Sequence, residues 1–144
     1  MNANARPIQN ADHAAQFIMG GNATVTFKST ATGKHFTFKV QEPKDGGGKV
    51  RFVKVLNGPD NETAYAYMGL IGANGGFTRT AKSKIGADAP SHKAFAWAWG
   101  RIAAGSIPEG LEVWHDGKCG KCGRKLTHPE SLETGLGPIC DGRG

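Results

Sequence analysis

The sequence predicts an α+β fold: an antiparallel four-stranded sheet with a packed helix, followed by a C-terminal zinc-knuckle module of ribbon or treble-clef type. Three observations predict it. Between Ala23 and Ile71, apolar and polar residues alternate with the two-residue period of half-buried strands, interrupted by glycine-rich turns. Between Ala89 and Ala104 the apolar residues change to helical spacing. All three cysteines crowd into the last 26 of 144 residues, two of them as C-x-x-C. The expected division is a basic α+β domain over residues 1–110 and a zinc-binding module over 111–144, a length that suits one core plus a small appendage.

Taken in order, Asn10 or Asp12 caps a short helix through Ala14, Phe17 and Ile18 that Gly20-Gly21 ends. Val25 and Phe27 then alternate with Thr24, Thr26 and Lys28. Beyond a turn at Thr32-Gly33, Phe36, Phe38 and Val40 alternate with Thr37 and Lys39, which makes a hairpin with one wet face. A glycine-rich loop at 44–48 precedes a third strand over 50–56, and Asn57-Gly58-Pro59-Asp60 turns the chain into a fourth over 63–71. On that fourth strand Tyr65 and Tyr67 share one face, with Ala64, Ala66, Met68 and Leu70 on the other, a small-residue face suited to a helix. Phe77 to Thr80 reads as a short strand leading into the basic connector of residues 79–84. A helix follows from Ala89-Pro90-Ser91 to about Ala104, because proline suits a first turn and Gly105 suits a stop. Its apolar stripe is Phe95, Ala98, Trp99 and Ile102.

Net charge is +6 and the isoelectric point near 9.4, a balance that attracts polyanions and also occurs in small proteins for solubility alone. No apolar run approaches the ~20 residues of a membrane span, and MNANARPIQN lacks the apolar core of a signal peptide. These features point to the cytoplasm of a bacterial or phage-infected cell. An odd number of cysteines disfavours a secreted disulfide framework and favours metal.

The C-terminal residues read WHDGKCGKCGRKLTHPESLETGLGPICDGRG. A C-x-x-C followed by glycine forms a tight turn that brings two thiolates, Cys119 and Cys122, to one ion. Seventeen residues separate Cys140 from the pair, within reach of a ribbon or treble clef, and Gly135, Gly137 and Pro138 supply the bends. Structural Zn2+ takes four ligands, so His115, His128, Asp116, Asp141 or water completes the set. His115 is favoured because three intervening residues let it fold back on the metal; His128 sits in a capping-box pattern, Thr127-x-x-Glu130. A catalytic zinc reading fails, because the deaminase signature H-x-E with P-C-x-x-C is matched in neither half. His13, His35 and His92 show no metal spacing. No nucleophile–base pair or paired carboxylates assemble, and Gly46-Gly47-Gly48-Lys49 lacks the Walker spacing, so no enzyme is expected.

The blocks Cys119-Gly-Lys-Cys-Gly-Arg-Lys-Leu-Thr127, Pro129-Glu-Ser131 and Gly135-Leu-Gly-Pro-Ile-Cys140 resemble a family of uncharacterised bacterial and phage zinc-binding domains. Its hallmark is C-x-x-C-G-R-x-L-T-x-P-x-S followed by G-[IL]-G-P-x-C. The resemblance covers roughly the last 30 residues. A histidine in an H-x-G-x-C setting recurs in that family, which His115-Asp-Gly-Lys-Cys119 fits, so the resemblance implies His115 as a ligand. Phe17 to Thr24 and Ala89 to Trp97 are similar to longer phage-type members. The resemblance implies a metal without implying a function.

Function is then expected from the surfaces that the metal steadies. Between Arg79 and Arg101 lie five cations, Arg79, Lys82, Lys84, Lys93 and Arg101, against one acid, Asp88. On the helix Lys93, Trp97 and Arg101 share the face opposite the apolar stripe, which would set an indole between cations as single-stranded nucleic-acid binders do. Lys121 and Arg124 add charge beside the knuckle. Nucleic-acid binding is one expectation. The other is a protein-interaction factor, an inhibitor or adaptor docking through the same basic surface on an acidic patch of a host or defence complex. The sequence does not specify the oligomeric state.

Overall fold

The computed structural model describes residues 7–42, 50–56, 65–72, 75–115 and 120. They form an α+β fold with two helices and one antiparallel sheet. The chain runs α1 (Ala11–Ile18), β1 (Asn22–Ser29), β2 (His35–Gln41), β3 (Arg51–Leu56), β4 (Tyr65–Ile71), β5 (Phe77–Thr78), α2 (Pro90–Ala103) and β6 (Leu111–His115). Both sequence-predicted helices are present. Asn10 caps α1, its side chain accepting from the amides of Asp12 at 2.8 Å and His13 at 3.2 Å. Pro90 opens α2, and Gly105 closes it at φ 101°, a conformation glycine adopts without strain.

The sheet has six strands in the order β5-β4-β3-β2-β1-β6, where a four-stranded sheet was expected; β5 falls within the short strand read at Phe77 to Thr80, and β6 was not foreseen. One is added at each edge. β5 is only two residues long, and Gly69 lets it approach, because the Thr78 carbonyl occupies the place a Cβ on residue 69 would need. β6 pairs with β1 over Val25↔His115 to Ser29↔Leu111. Its pattern was hidden because a histidine stands at an inward position and a tryptophan at the outward one. The outer edge of β6 is itself covered: Pro7 bridges Trp114, and the Ile8 amide donates to the Val113 carbonyl at 2.6 Å.

The fourth strand does not keep simple alternation. A register shift opposite Val53 and Lys54 leaves Met68 and Ile71 fully buried, so Ile71 rather than Leu70 takes the inward place. The inward faces of β1, β2 and β3, with Val25, Phe27, Phe38, Val40, Val53 and Val55, carry both helices. Phe95 of α2 is the hub, its ring 5.0 Å from Phe38, 5.6 Å from Phe27 and 4.7 Å from Phe77, in tilted or edge contacts. α1 contributes Ala14, Phe17 and Ile18 to the same core. No helix among the described residues is long and apolar enough to cross a membrane.

Candidate functional site

Two places on this frame collect the residues singled out by the sequence. The first lies where β6 ends. His115 is 1% exposed, on the inward side of the sheet opposite Val25, with its ring centroid 6.0 Å from that of Phe17. Five positions on, Gly120, an interior residue of the C-x-x-C turn, is buried against the same phenylalanine. A Cβ there would stand 2.5 Å from Phe17 Cδ1 and 2.6 Å from the Phe17 carbonyl oxygen, so no side chain fits. The Gly120 carbonyl accepts from the Asn22 amide at 2.8 Å, which ties the turn to the first residue of β1. Phe17 therefore adjoins both the favoured histidine and the middle of the cysteine pair.

Cys119, Cys122 and Cys140 lie outside the described residues, as do Asp116, Lys121, Arg124, His128 and Asp141. Among the described residues no three His, Cys, Asp or Glu side chains gather closely enough to hold a metal ion. Of the sequence-predicted ligands, His115 is the one among the described residues: it is buried at the end of β6, and Cys119 follows four positions on in the sequence. Imidazole with thiolates is a zinc donor set.

The second place is the outer side of α2. Phe95, Ala98, Trp99 and Ile102 are buried as the stripe predicts, and Trp99 donates its indole N–H to the Gly75 carbonyl at 2.8 Å. Lys93, Trp97 and Arg101 stand on the opposite side at i, i+4 and i+8, all exposed. Trp97 is 48% exposed, and among the described residues it is the large apolar side chain most open to solvent. No described carboxylate forms an ion pair with Lys93 or Arg101. Arg79, Lys82 and Lys84 are exposed too but belong to a different element. Their connector follows β5 and is tied to β4, with the Lys84 amide donating to the Tyr67 carbonyl at 2.8 Å, the Thr80 hydroxyl to the Tyr67 hydroxyl at 3.2 Å, and Arg79 Nε to the Ile85 carbonyl at 2.9 Å.

One feature escaped the sequence. Trp97 does not stand on a flat surface: it forms one wall of a recess of about 370 Å³ between α2, the β1–β2 turn and the start of β6. Phe36 and Leu111 are among its apolar lining residues, and Lys34 and Glu109 among its charged ones. Three segments distant in sequence build it, one of them running into the unexpected strand β6. The exposed indole was the only signal pointing there.

Residues 113–143 match DUF6011, a family of unknown function. The matched stretch begins inside β6, two residues before His115, and contains all three cysteines. No curated protein and no solved structure matches the chain.

Proposed function

We propose that this chain is a non-enzymatic, zinc-containing nucleic-acid-binding protein of bacterial or phage origin, acting in the cytoplasm. Zn2+ is held by Cys119, Cys122 and Cys140 with His115 as fourth ligand. What supports the metal is the convergence of His115 and Gly120 on Phe17, together with the zinc chemistry of three cysteines and a histidine. Ligation supplies of order 10 kcal/mol to a segment too small to build a core of its own, so the ion is scaffolding.

The observation that carries nucleic-acid binding is the exposed Trp97 between Lys93 and Arg101, cations that no described acid neutralises. Lysine and arginine attract phosphate without reference to sequence, and an indole offers a stacking surface to any base. Arg79, Lys82 and Lys84 supply further exposed cations on the connector after β5, and Lys121 and Arg124, outside the described residues, are assigned to the same binding function from their place in the sequence beside the cysteine pair.

Metal analysis and electrophoretic mobility shifts at low salt test both halves. The purified protein carries about one zinc per chain and loses it in Cys119→Ser. It retards DNA or RNA, and Lys93→Ala with Arg101→Ala weakens that retardation and its salt dependence. Absence of zinc removes the metal assignment; absence of any shift removes nucleic-acid binding. A stoichiometric protein partner that survives nuclease treatment, with no shift, replaces this reading by docking on an acidic protein surface.

A further inference from the structure

Resting on the nucleic-acid reading, we propose that the recess beside Trp97 receives one unpaired nucleotide of a single strand. The base lies against the Trp97 indole and the phosphate faces Lys34.

The shape of the recess supports a flat apolar guest. Its volume, about 370 Å³, is at the lower end for small-ligand sites, and Phe36 and Leu111 join the indole in a mostly apolar lining. Keeping nearly half an indole in water forgoes burial that would stabilise the core, and an aromatic surface held in a recess is well placed for stacking.

Charge selects among flat guests. The lining carries Lys28 and Lys34 against Glu109 alone, and Lys93 and Arg101 flank Trp97 one turn to either side. Lys28 also has Glu112 across from it on β6, so four cations stand against two acids, and the positive balance favours a ring joined to an anion. A nucleotide is such a group, and the flanking cations are placed for the phosphates of its neighbours in a strand.

Pairing state follows from access. A base inside a duplex has both faces covered by its neighbours, so an indole in a recess finds no free face there; an unpaired base offers one. The site therefore prefers single strands of DNA or RNA.

Fluorescence anisotropy with a labelled oligothymidylate of about twelve nucleotides, and with a duplex of the same length, tests this. The single strand binds more tightly than the duplex. Trp97→Ala weakens single-strand binding by about 5- to 150-fold, the range of one lost stacking contact. Trp97→Phe restores much of it, and Lys34→Glu weakens it with the indole in place. Thermal melts of each variant verify that the fold is kept. If duplex and single strand bind alike and Trp97→Ala changes neither, the recess proposal is overturned while nucleic-acid binding stands. If no oligonucleotide binds at low salt, the broader reading falls with it. Capture of a protein through Trp97 by a chain that binds no oligonucleotide overturns both.

Discussion

Gly120→Ala isolates the link between the C-terminal turn and the α+β body. The added methyl would stand 2.5 Å from Phe17 Cδ1 and 2.6 Å from the Phe17 carbonyl oxygen, well inside contact distance. Phe17 is fully buried, so its ring has little room to move aside, and the carbonyl belongs to the last turn of α1. Relief must come from displacing the turn, which stretches the hydrogen bond from the Asn22 amide. Overpacking of this kind costs about 1–3 kcal/mol. At roughly 3–4 °C per kcal/mol for a chain of this size, a cost of ~2 kcal/mol lowers Tm by about 6–8 °C. Circular dichroism melts of wild type, Gly120→Ala, Phe17→Leu and the double variant make the assay. Leucine removes the ring edge but leaves the carbonyl, so the two changes couple by about 0.5–3 kcal/mol and the double variant is less damaged than the sum. A Gly120→Ala protein melting within about 1 °C of wild type, or strictly additive losses, would refute the contact.

Two further outcomes follow from the same frame. Phe95→Ala empties the centre of the Phe27, Phe38 and Phe77 cluster and lowers stability by about 3–5 kcal/mol in urea unfolding, whereas Trp97→Ala, which removes a half-buried side chain on the outer side of the same helix, costs about 1–2 kcal/mol; comparable losses for both would contradict the burial assignment. Cys119→Ser and Trp97→Ala act additively on oligonucleotide binding, within about 0.5 kcal/mol, because the recess and the cysteine turn sit at opposite ends of β1; strong coupling would place them in one site.

Much of the fold was legible because its elements obey local rules. Asn10 before an apolar helical stripe, Pro90 at a first turn and Gly105 at a stop announced both helices, and Val25, Phe27, Phe38 and Val40 announced the central hairpin by strict alternation. What escaped was set by tertiary pairing. Residues 111–115 show only two and a half periods with a histidine inward, and nothing local says that they return to β1 rather than belong to the cysteine-bearing tail. The register shift opposite Val53 and Lys54 is likewise a property of the strand pair, so sequence alternation put Leu70 where Ile71 belongs. The helical row of Lys93, Trp97 and Arg101 was readable from spacing alone. The recess beside it was not, since it depends on Phe36 and Leu111 arriving from separate strands.

The path of β6 separates scaffold from surface. β1 is eight residues long, so its ends lie about 23 Å apart at strand rise, with the Gly120 hydrogen bond at Asn22 and the recess at Ser29. β6 spans between them, Leu111 lining the recess and His115 buried near Phe17. If the metal were needed to hold that strand, losing it would dismantle the recess. The described contacts argue otherwise: Val113 is buried in the core, β1 pairs with β6 on one side, and Ile8 and Pro7 pair with it on the other. A strand held on both edges and anchored by a core valine keeps its register without an ion at one end. On the proposed reading, a bound ion would then act only on the chain beyond His115, and binding selectivity would belong to the recess and the helix face that frames it.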